Sequence, residues 1–454
     1  MTFAFLRLRS RLLTAQRHHA RRVSVRYSPS LPPTLSKLAV LSSQPRGLST
    51  AATLLRSMTI ANPTYSAANP AVAPQPEDDG LAPPQLQDLY AANLTKTLTP
   101  QLKPLVPNRE LVFGKTFSDH MLTTEWTASH GWAAPEIKPY GPLQLEPCAS
   151  VFHYAFECFE GMKAYKDRQG HIRLFRPDMN MERMNRSVER ISLPTFNPEE
   201  YLECIKELLR VEKRWIPDEY GYSLYIRPTM IGTEPCLGVR ASNTALLYTI
   251  CCPVGPYYAT GFKAISLYAN VREVRAWPGG SGDSKIGANY GPSVKPAKEA
   301  EQLGCQQVLW LIGEEHTVME VGAMNLFIYW LNDQGQPELL TPALDGTILP
   351  GVTRDSIIQL AREWGGIQVT ERSITMKEVV QAAEDQRLLE VFGAGTACIV
   401  SPVKRISYLG HDIHIPLDPK DPESQAGPLA RRINETLLGI QYGDIPHKWS
   451  VLVD

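Results

Sequence analysis

The chain has 454 residues, 43% apolar and 20% charged, the balance of an ordinary soluble globular protein and too long for one hydrophobic core, so two domains are expected. The net charge of −1 conceals an asymmetry: residues 1–60 hold ten Lys/Arg and no Asp or Glu, which leaves the remainder at −11. An acidic body argues against a nucleic-acid binder, and no apolar stretch approaches the roughly 18 to 20 residues that a membrane span needs.

The segment MTFAFLRLRSRLLTAQRHHARRVSVRYSPS interleaves Phe3, Phe5, Leu6, Leu12 and Leu13 with Arg7, Arg9 and Arg11. That is the composition of a mitochondrial transit peptide, predicted over 1–60 and directing the chain to the matrix; a disordered basic tail is the alternative. A secretory signal would need an unbroken apolar core. Residues 61–107, rich in Ser, Thr, Pro and Ala, are predicted as linker and N-terminal extension, with the fold beginning near Asn108. Met58 offers a second start, giving a cytosolic form.

Beyond Asn108, the runs LVFGKTF, HIRLF, YSLYIRPTM and ALLYTICC predict strands. PEEYLECIKELLRVEKRW predicts a helix with Leu202, Ile205, Leu208 and Leu209 on one face, capped by Asn197 with Pro198 in its first turn. CPVGPYYATGF is turn-rich and reads as an interdomain linker over 253–262, between a small domain at 108–252 and a large one at 263–454. The second half continues with the runs KAISLYANV and QQVLWLI, the helix RDSIIQLAREW, the helix-like MKEVVQAAEDQRLLE, and a closing helix around ARRINETLLGIQY. Strands mixed with helices in both halves indicate α/β to α+β architecture.

The eight cysteines include no C-x-x-C pair, no His cluster has zinc spacing, and HDIHI reads as a strand, so no metal site is expected and a reducing compartment is inferred.

Four stretches carry candidate chemistry. SGDSKIGANYGP sets Lys285 among glycines, where an electrophile can approach a nucleophilic amine, and Tyr290 follows within the same turn-rich stretch; read alone, Lys285 is a surface lysine. In LLTPALDGTILPGVTRDSIIQLAREW a Pro-Gly turn feeds a helix whose first amides, at Gly351, Val352 and Thr353, form an anion site suited to phosphate, or a capped helix without a ligand. TVMEVGAMNLFIYW places Glu320 at the mouth of an apolar strand, which calls for a cation such as a protonated pyridine nitrogen or an arginine. EVFGAGTACIVSPV breaks a β-rich run at Gly393, Gly395, Thr396 and Ala397, a sign of close approach by a ligand or by other backbone. Together they meet the needs of an aldehyde cofactor with a phosphate tail.

FECFEGMKAY, RLFRPDMNMERM, SLYIRPTMIGTEP, GDSKIGANYGP, EVGAMNLF, LDGTILPGVTR and VFGAGTAC resemble, in order, the motifs of the branched-chain aminotransferases. These are pyridoxal-phosphate enzymes sharing the two-domain fold of D-amino-acid aminotransferase, with mixed sheets and helices. The likeness runs from about Asn108 to the C-terminus. It implies pyridoxal 5′-phosphate as cofactor, and a ping-pong transfer of the amino group of L-leucine, L-isoleucine or L-valine to 2-oxoglutarate, and the reverse. Lys285 resembles the Schiff-base lysine and proton shuttle. Glu320 resembles the acid at the pyridine nitrogen, and Tyr290 the phenol at the ring's 3-oxygen. Arg183 resembles the phosphate-binding arginine, supported by the Val352 and Thr353 amides and the Thr396 hydroxyl.

For substrate, the resemblance implies an apolar pocket of Phe113, Phe159, Tyr225 and Tyr257. Arg227 would receive the side-chain carboxylate of glutamate, and the Thr396 and Ala397 amides the α-carboxylate. Tyr154, Leu237 and Val239 match residues supplied by a neighbouring subunit, so a homodimer is implied. Two departures stand out: Ala323 where the family often has Thr, and Ser401 three residues after Cys398, where some animal members have a redox C-x-x-C pair. The rival readings are a D-amino-acid aminotransferase or lyase of the same fold, and an inactive paralogue acting as a binding protein.

Overall fold

Short apolar runs build two mixed sheets in the computed structural model, which describes residues 86–256, 262–421, 423 and 425–453. The predicted transit peptide, Met58 and Tyr257 lie outside the described residues. The first sheet centres on the antiparallel pair Ser223–Gly232 and Thr244–Val254, in register from Ser223↔Val254 to Gly232↔Ala245. His120–Thr127 flanks the pair on one side and Met162–Lys166 on the other. Helices Pro177–Arg190 and Pro198–Val211 bury Met181, Met184, Val188, Ile205, Leu208 and Leu209 in one core with Leu224, Ile226 and Leu247. Each such side chain contributes roughly 1.5–3 kcal/mol of burial. Asn197 caps the second helix as predicted: its side chain accepts from the Glu199 and Glu200 amides at 3.0 and 3.2 Å, with Pro198 in the first turn.

In the second sheet Ile265–Asn270 runs parallel to both Gln307–Ile312 and Ile399–Tyr408, while Met324–Leu331 lies antiparallel between Pro337–Thr341 and Leu388–Gly395. Helix Met376–Glu384, opened by a Thr375–Glu378 capping box, contributes to one core of this sheet. Helices Val352–Trp364 and Pro428–Gln441 share another core with Phe327 and Phe392, which Tyr165 and Phe175 of the first sheet enter. The last strand, Ser450–Leu452, returns to the first sheet beside Ile172–Phe175. Mixed sheets with helices match the expected fold class.

Three expectations need correction. The fold begins before Asn108: Leu89 is fully buried, the Ala91 amide donates to Glu200 Oε2 at 2.6 Å, and Thr95–Lys96 pairs with Glu136–Ile137. One buried leucine and a two-residue strand carry no readable period. LVFGKTF forms a turn and not a strand, because Gly114 takes a left-handed conformation at φ +72°. The helix predicted through Glu390 stops at Glu384, and Leu388–Gly395 becomes a central strand, where Glu390 caps the last helix by accepting from the Leu429 and Ala430 amides.

Candidate active site

A cavity of about 320 Å³ collects side chains from both sheets. Lys285 stands in its wall, the ammonium donating to the Tyr290 hydroxyl at 3.1 Å and lying 4.7 Å from the Phe159 ring centroid. Its backbone is clamped: the Lys285 amide donates to Ser187 Oγ at 2.8 Å, and its carbonyl accepts from the Phe159 amide at 3.0 Å. The neighbouring Gly287 has a different reason from the one its motif suggested. A Cβ there would fall 1.8 Å from Glu157 Oε1, so the glycine admits protein and not a ligand.

The helix Val352–Trp364 starts at Gly351, and among the described residues no side chain caps it. A Cβ on Gly351 would meet Asn325 Oδ1 at 2.0 Å, so only glycine fits that turn. Val352 and Thr353 line the cavity beside Arg183. Arg183 is 4% exposed; its Nε and Nη2 donate to the two Glu160 oxygens at 2.7 and 2.8 Å, and Nη1 donates to the Pro350 carbonyl at 3.0 Å. Burial pushes the Glu160 carboxyl up, but the Arg183 charge and hydrogen bonds outweigh it and hold the group below the usual glutamate range. An uncapped helix start beside a buried guanidinium could hold a phosphate.

Glu320 does not line the cavity. It sits behind it, 2% exposed, accepting from the Leu349 amide at 2.8 Å and from Asn325 Nδ2 at 3.2 Å, and it pairs with Arg275 Nε at 2.8 Å. The arginine partner is thus present, and Arg275 also donates to the Gly282 and Thr347 carbonyls at 3.1 and 2.9 Å. Burial pushes the Glu320 carboxyl up, with Arg275 opposing.

Phe113, Phe159, Tyr225 and Arg227 form another wall. Phe113 and Tyr225 meet edge to face at 5.0 Å; Arg227 donates to the Tyr225 hydroxyl at 3.0 Å and lies 4.6 Å from the Phe159 centroid. Arg227 Nε is buried with no partner among the described residues. Thr396 and Ala397 reach the cavity from the turn between Leu388–Gly395 and Ile399–Tyr408, which closes on a left-handed Ile399 at φ +63°. The buried Lys163 holds that turn by donating to the Ala397 carbonyl at 2.8 Å. Burial lowers the Lys163 ammonium to about 8.

Tyr154, Leu237 and Val239 are not brought to this cavity. They cluster elsewhere on the surface, 37%, 61% and 75% exposed, with the Tyr154 hydroxyl donating to the Leu237 carbonyl. Sequence reasoning missed Glu160, Lys163, Arg275 and Asn325. The first two stand in the quoted FECFEGMKAY, whose charged residues were the available signal.

The family model for class IV amino-transferases matches residues 157–406, and the chain belongs to that family. Its relatives include the branched-chain-amino-acid aminotransferases of Monosiga brevicollis, 52% identical over 81% of this chain and 94% of its own, and of Dictyostelium discoideum, 53% identical over 79% and 94%. The mitochondrial enzyme of Schizosaccharomyces pombe is 52% identical over 80% of this chain and 85% of its own. Among solved structures, the branched-chain aminotransferase of Thermoproteus uzoniensis with norvaline is similar at TM-score 0.59 and 25% identity, over 73% of this chain and 99% of its own. A second solved branched-chain amino acid aminotransferase, complexed with N-(5′-phosphopyridoxyl)-L-glutamate, is similar at 0.55 and 27%, over 73% and 98%.

Proposed function

We propose that the chain is a branched-chain-amino-acid aminotransferase dependent on pyridoxal 5′-phosphate, moving the amino group of L-leucine, L-isoleucine or L-valine to 2-oxoglutarate and back. The observation that carries this is one cavity lined by both an amine, Lys285, and an uncapped helix start beside the buried Arg183. When bound, the cofactor supplies an electron sink for the charge developing at the substrate's Cα.

The chain's own residues do the rest. Lys285 would anchor the cofactor through its amine and, as a free amine, would carry a proton to and from the substrate's Cα. Tyr290 accepts from the Lys285 ammonium at 3.1 Å and would hydrogen-bond the ring's 3-oxygen. Arg183, the Val352 and Thr353 amides and the Thr396 hydroxyl would hold the phosphate, and Glu320, which stands behind the cavity wall paired with Arg275, would serve as the acid for the ring nitrogen. Phe113, Phe159 and Tyr225 would exclude water around the branched side chain, a role the family resemblance also gives Tyr257, which lies outside the described residues. Arg227 receives the second carboxylate of glutamate, its unpartnered Nε being one available donor. The Thr396 and Ala397 amides take the α-carboxylate.

Tyr154, Leu237 and Val239 complete the pocket of a second copy in a homodimer; their exposure away from their own chain's cavity supports that reading. The two sheets would correspond to a small and a large domain, the first holding the strand Thr244–Val254, whose end lies in the predicted linker, with Ser450–Leu452 added to it. The acid-free, Arg-rich segment 1–60 directs the enzyme to mitochondria, and initiation at Met58 would give a cytosolic form.

The test is steady-state kinetics of the purified protein with L-leucine, L-isoleucine and L-valine against 2-oxoglutarate, with D-alanine as the contrasting donor. Turnover of the three L-amino acids is expected; preference for D-alanine would overturn the assignment.

A further inference from the structure

The turn Pro350–Gly351–Val352 is held on two sides by residues already described: Arg183 bonds the Pro350 carbonyl, and Asn325 packs against Gly351. A third hold comes from Arg176, which plays no part in the roles assigned above. Arg176 precedes the helix Pro177–Arg190, one residue after the strand Ile172–Phe175, and adopts a left-handed backbone at φ +47°. Arginine rarely accepts that conformation, and it persists only where the surroundings enforce it.

Two sets of contacts enforce it. On one side the Arg176 amide donates to the Trp449 carbonyl at 2.9 Å, and its guanidinium lies 4.6 Å from the Trp449 ring centroid. Trp449 immediately precedes the C-terminal strand, whose Ser450 pairs with Phe175. On the other side Nη1 donates to Ser356 Oγ at 2.8 Å and meets Asp355 Oδ2 at 2.6 Å. Ser356 is fully buried and donates onward to the Val352 carbonyl at 2.8 Å. A chain of hydrogen bonds therefore runs from the C-terminal strand through Arg176 and Ser356 to the first residue of the helix that opens on the cavity.

The charge arrangement matters as well. Asp355 lies in the first turn of that helix, where its carboxylate opposes any dianion approaching the helix start. The Arg176 guanidinium neutralises it.

We propose that Arg176 is a positioning residue for the cofactor's phosphate: it fixes the first turn of the helix Val352–Trp364, cancels the Asp355 charge, and couples the docking of the C-terminal strand to phosphate affinity. The inference rests on the reading of Val352, Thr353 and Arg183 as the phosphate site.

The experiment compares dissociation constants of pyridoxal 5′-phosphate and of unphosphorylated pyridoxal for the apoprotein, followed by absorbance, in Arg176→Met, Ser356→Ala, Trp449→Leu and Arg183→Met. Each variant is checked for folding by circular dichroism. Ser356→Ala removes one hydroxyl and is the variant least able to disturb packing. Arg176→Met should weaken the phosphorylated cofactor about tenfold, as expected for a lost charge-assisted contact, while pyridoxal binds as to the wild type. Ser356→Ala and Trp449→Leu should shift the same ratio by about threefold, the scale of one neutral or cation–π contact. A merely structural role would weaken both ligands together. If Arg183→Met lowers phosphate preference and neither Arg176→Met nor Ser356→Ala does, the inference is wrong and the phosphate site stands. If Arg183→Met also leaves the preference unchanged, the phosphate site itself is misassigned.

Discussion

Arg183 and Glu160 form a two-pronged ion pair with neither side chain more than 5% exposed. The pair fixes the guanidinium plane before any ligand arrives, so binding requires little reordering. Glu160 is further held by Asn180 Nδ2 at 2.8 Å. Removing the carboxylate charge leaves a buried guanidinium without its counter-ion.

Glu160→Gln should therefore cost roughly 3–5 kcal/mol of stability at pH 7. Its dependence on pH has a definite sign. The folded carboxyl lies below the ordinary glutamate value of about 4.3, so the pair's contribution is complete above that value and is lost as pH falls through the folded one. Urea unfolding of both proteins between neutral and acid pH measures this. The gap between them should narrow on acidification, and a constant gap would place the stabilisation elsewhere.

Lys285→Ala should reduce transamination by about a thousandfold or more, because anchor and proton carrier are one amine. The variant should keep its fold, since the clamps on Lys285 are made by its backbone amide and carbonyl. Turnover above a few per cent of wild type, with circular dichroism unchanged, would remove Lys285 from the mechanism.

Arg227→Met should separate the two half-reactions. Loss of a charge-assisted contact to the distal carboxylate predicts a rise of about tenfold or more in KM for 2-oxoglutarate, with a much smaller effect on L-leucine. Equal effects on both substrates would mean that Arg227 supports the Tyr225 and Phe159 rings and not the carboxylate.

Deletion of residues 1–60 should leave an active enzyme that no longer enters mitochondria. Deletion of 1–107 should not behave as a simple linker removal. It takes away the buried Leu89, the Ala91–Glu200 hydrogen bond and the Lys103 ammonium that donates to the Ser118 carbonyl at 2.7 Å. A lower melting temperature for the longer deletion alone is the expected result, together with a cytosolic signal from a fluorescent fusion of the shorter one.

Oxidation should not switch the enzyme through a local disulfide. Ser401 stands three residues after Cys398, and all eight cysteines are free. Burial pushes the Cys398 thiol up to about 12, leaving little thiolate at neutral pH. Mild peroxide followed by peptide mapping should show no reversible disulfide at Cys398; one that tracks activity would contradict this.

The sequence by itself determined what is local. The cap at Asn197 depends on amides two and three residues away and the helix start at Gly351 follows a Pro-Gly turn, so short windows were enough; the Lys285 motif was legible as a pattern, but Gly287 answers to Glu157, far along the chain. Tertiary structure decided the partners. Arg183 finds Glu160 across 23 positions, Arg176 finds Ser356 across 180, and Lys163 finds Ala397 across 234. Arg275 rather than solvent faces Glu320, and Leu388–Glu390 leaves a helical pattern because the antiparallel pairing with Met324–Leu331 continues through it. Such contacts have no period along the chain. Each is chosen by the cost of leaving a buried charge or a strand edge unpaired, and that cost exists only once the two sheets have come together.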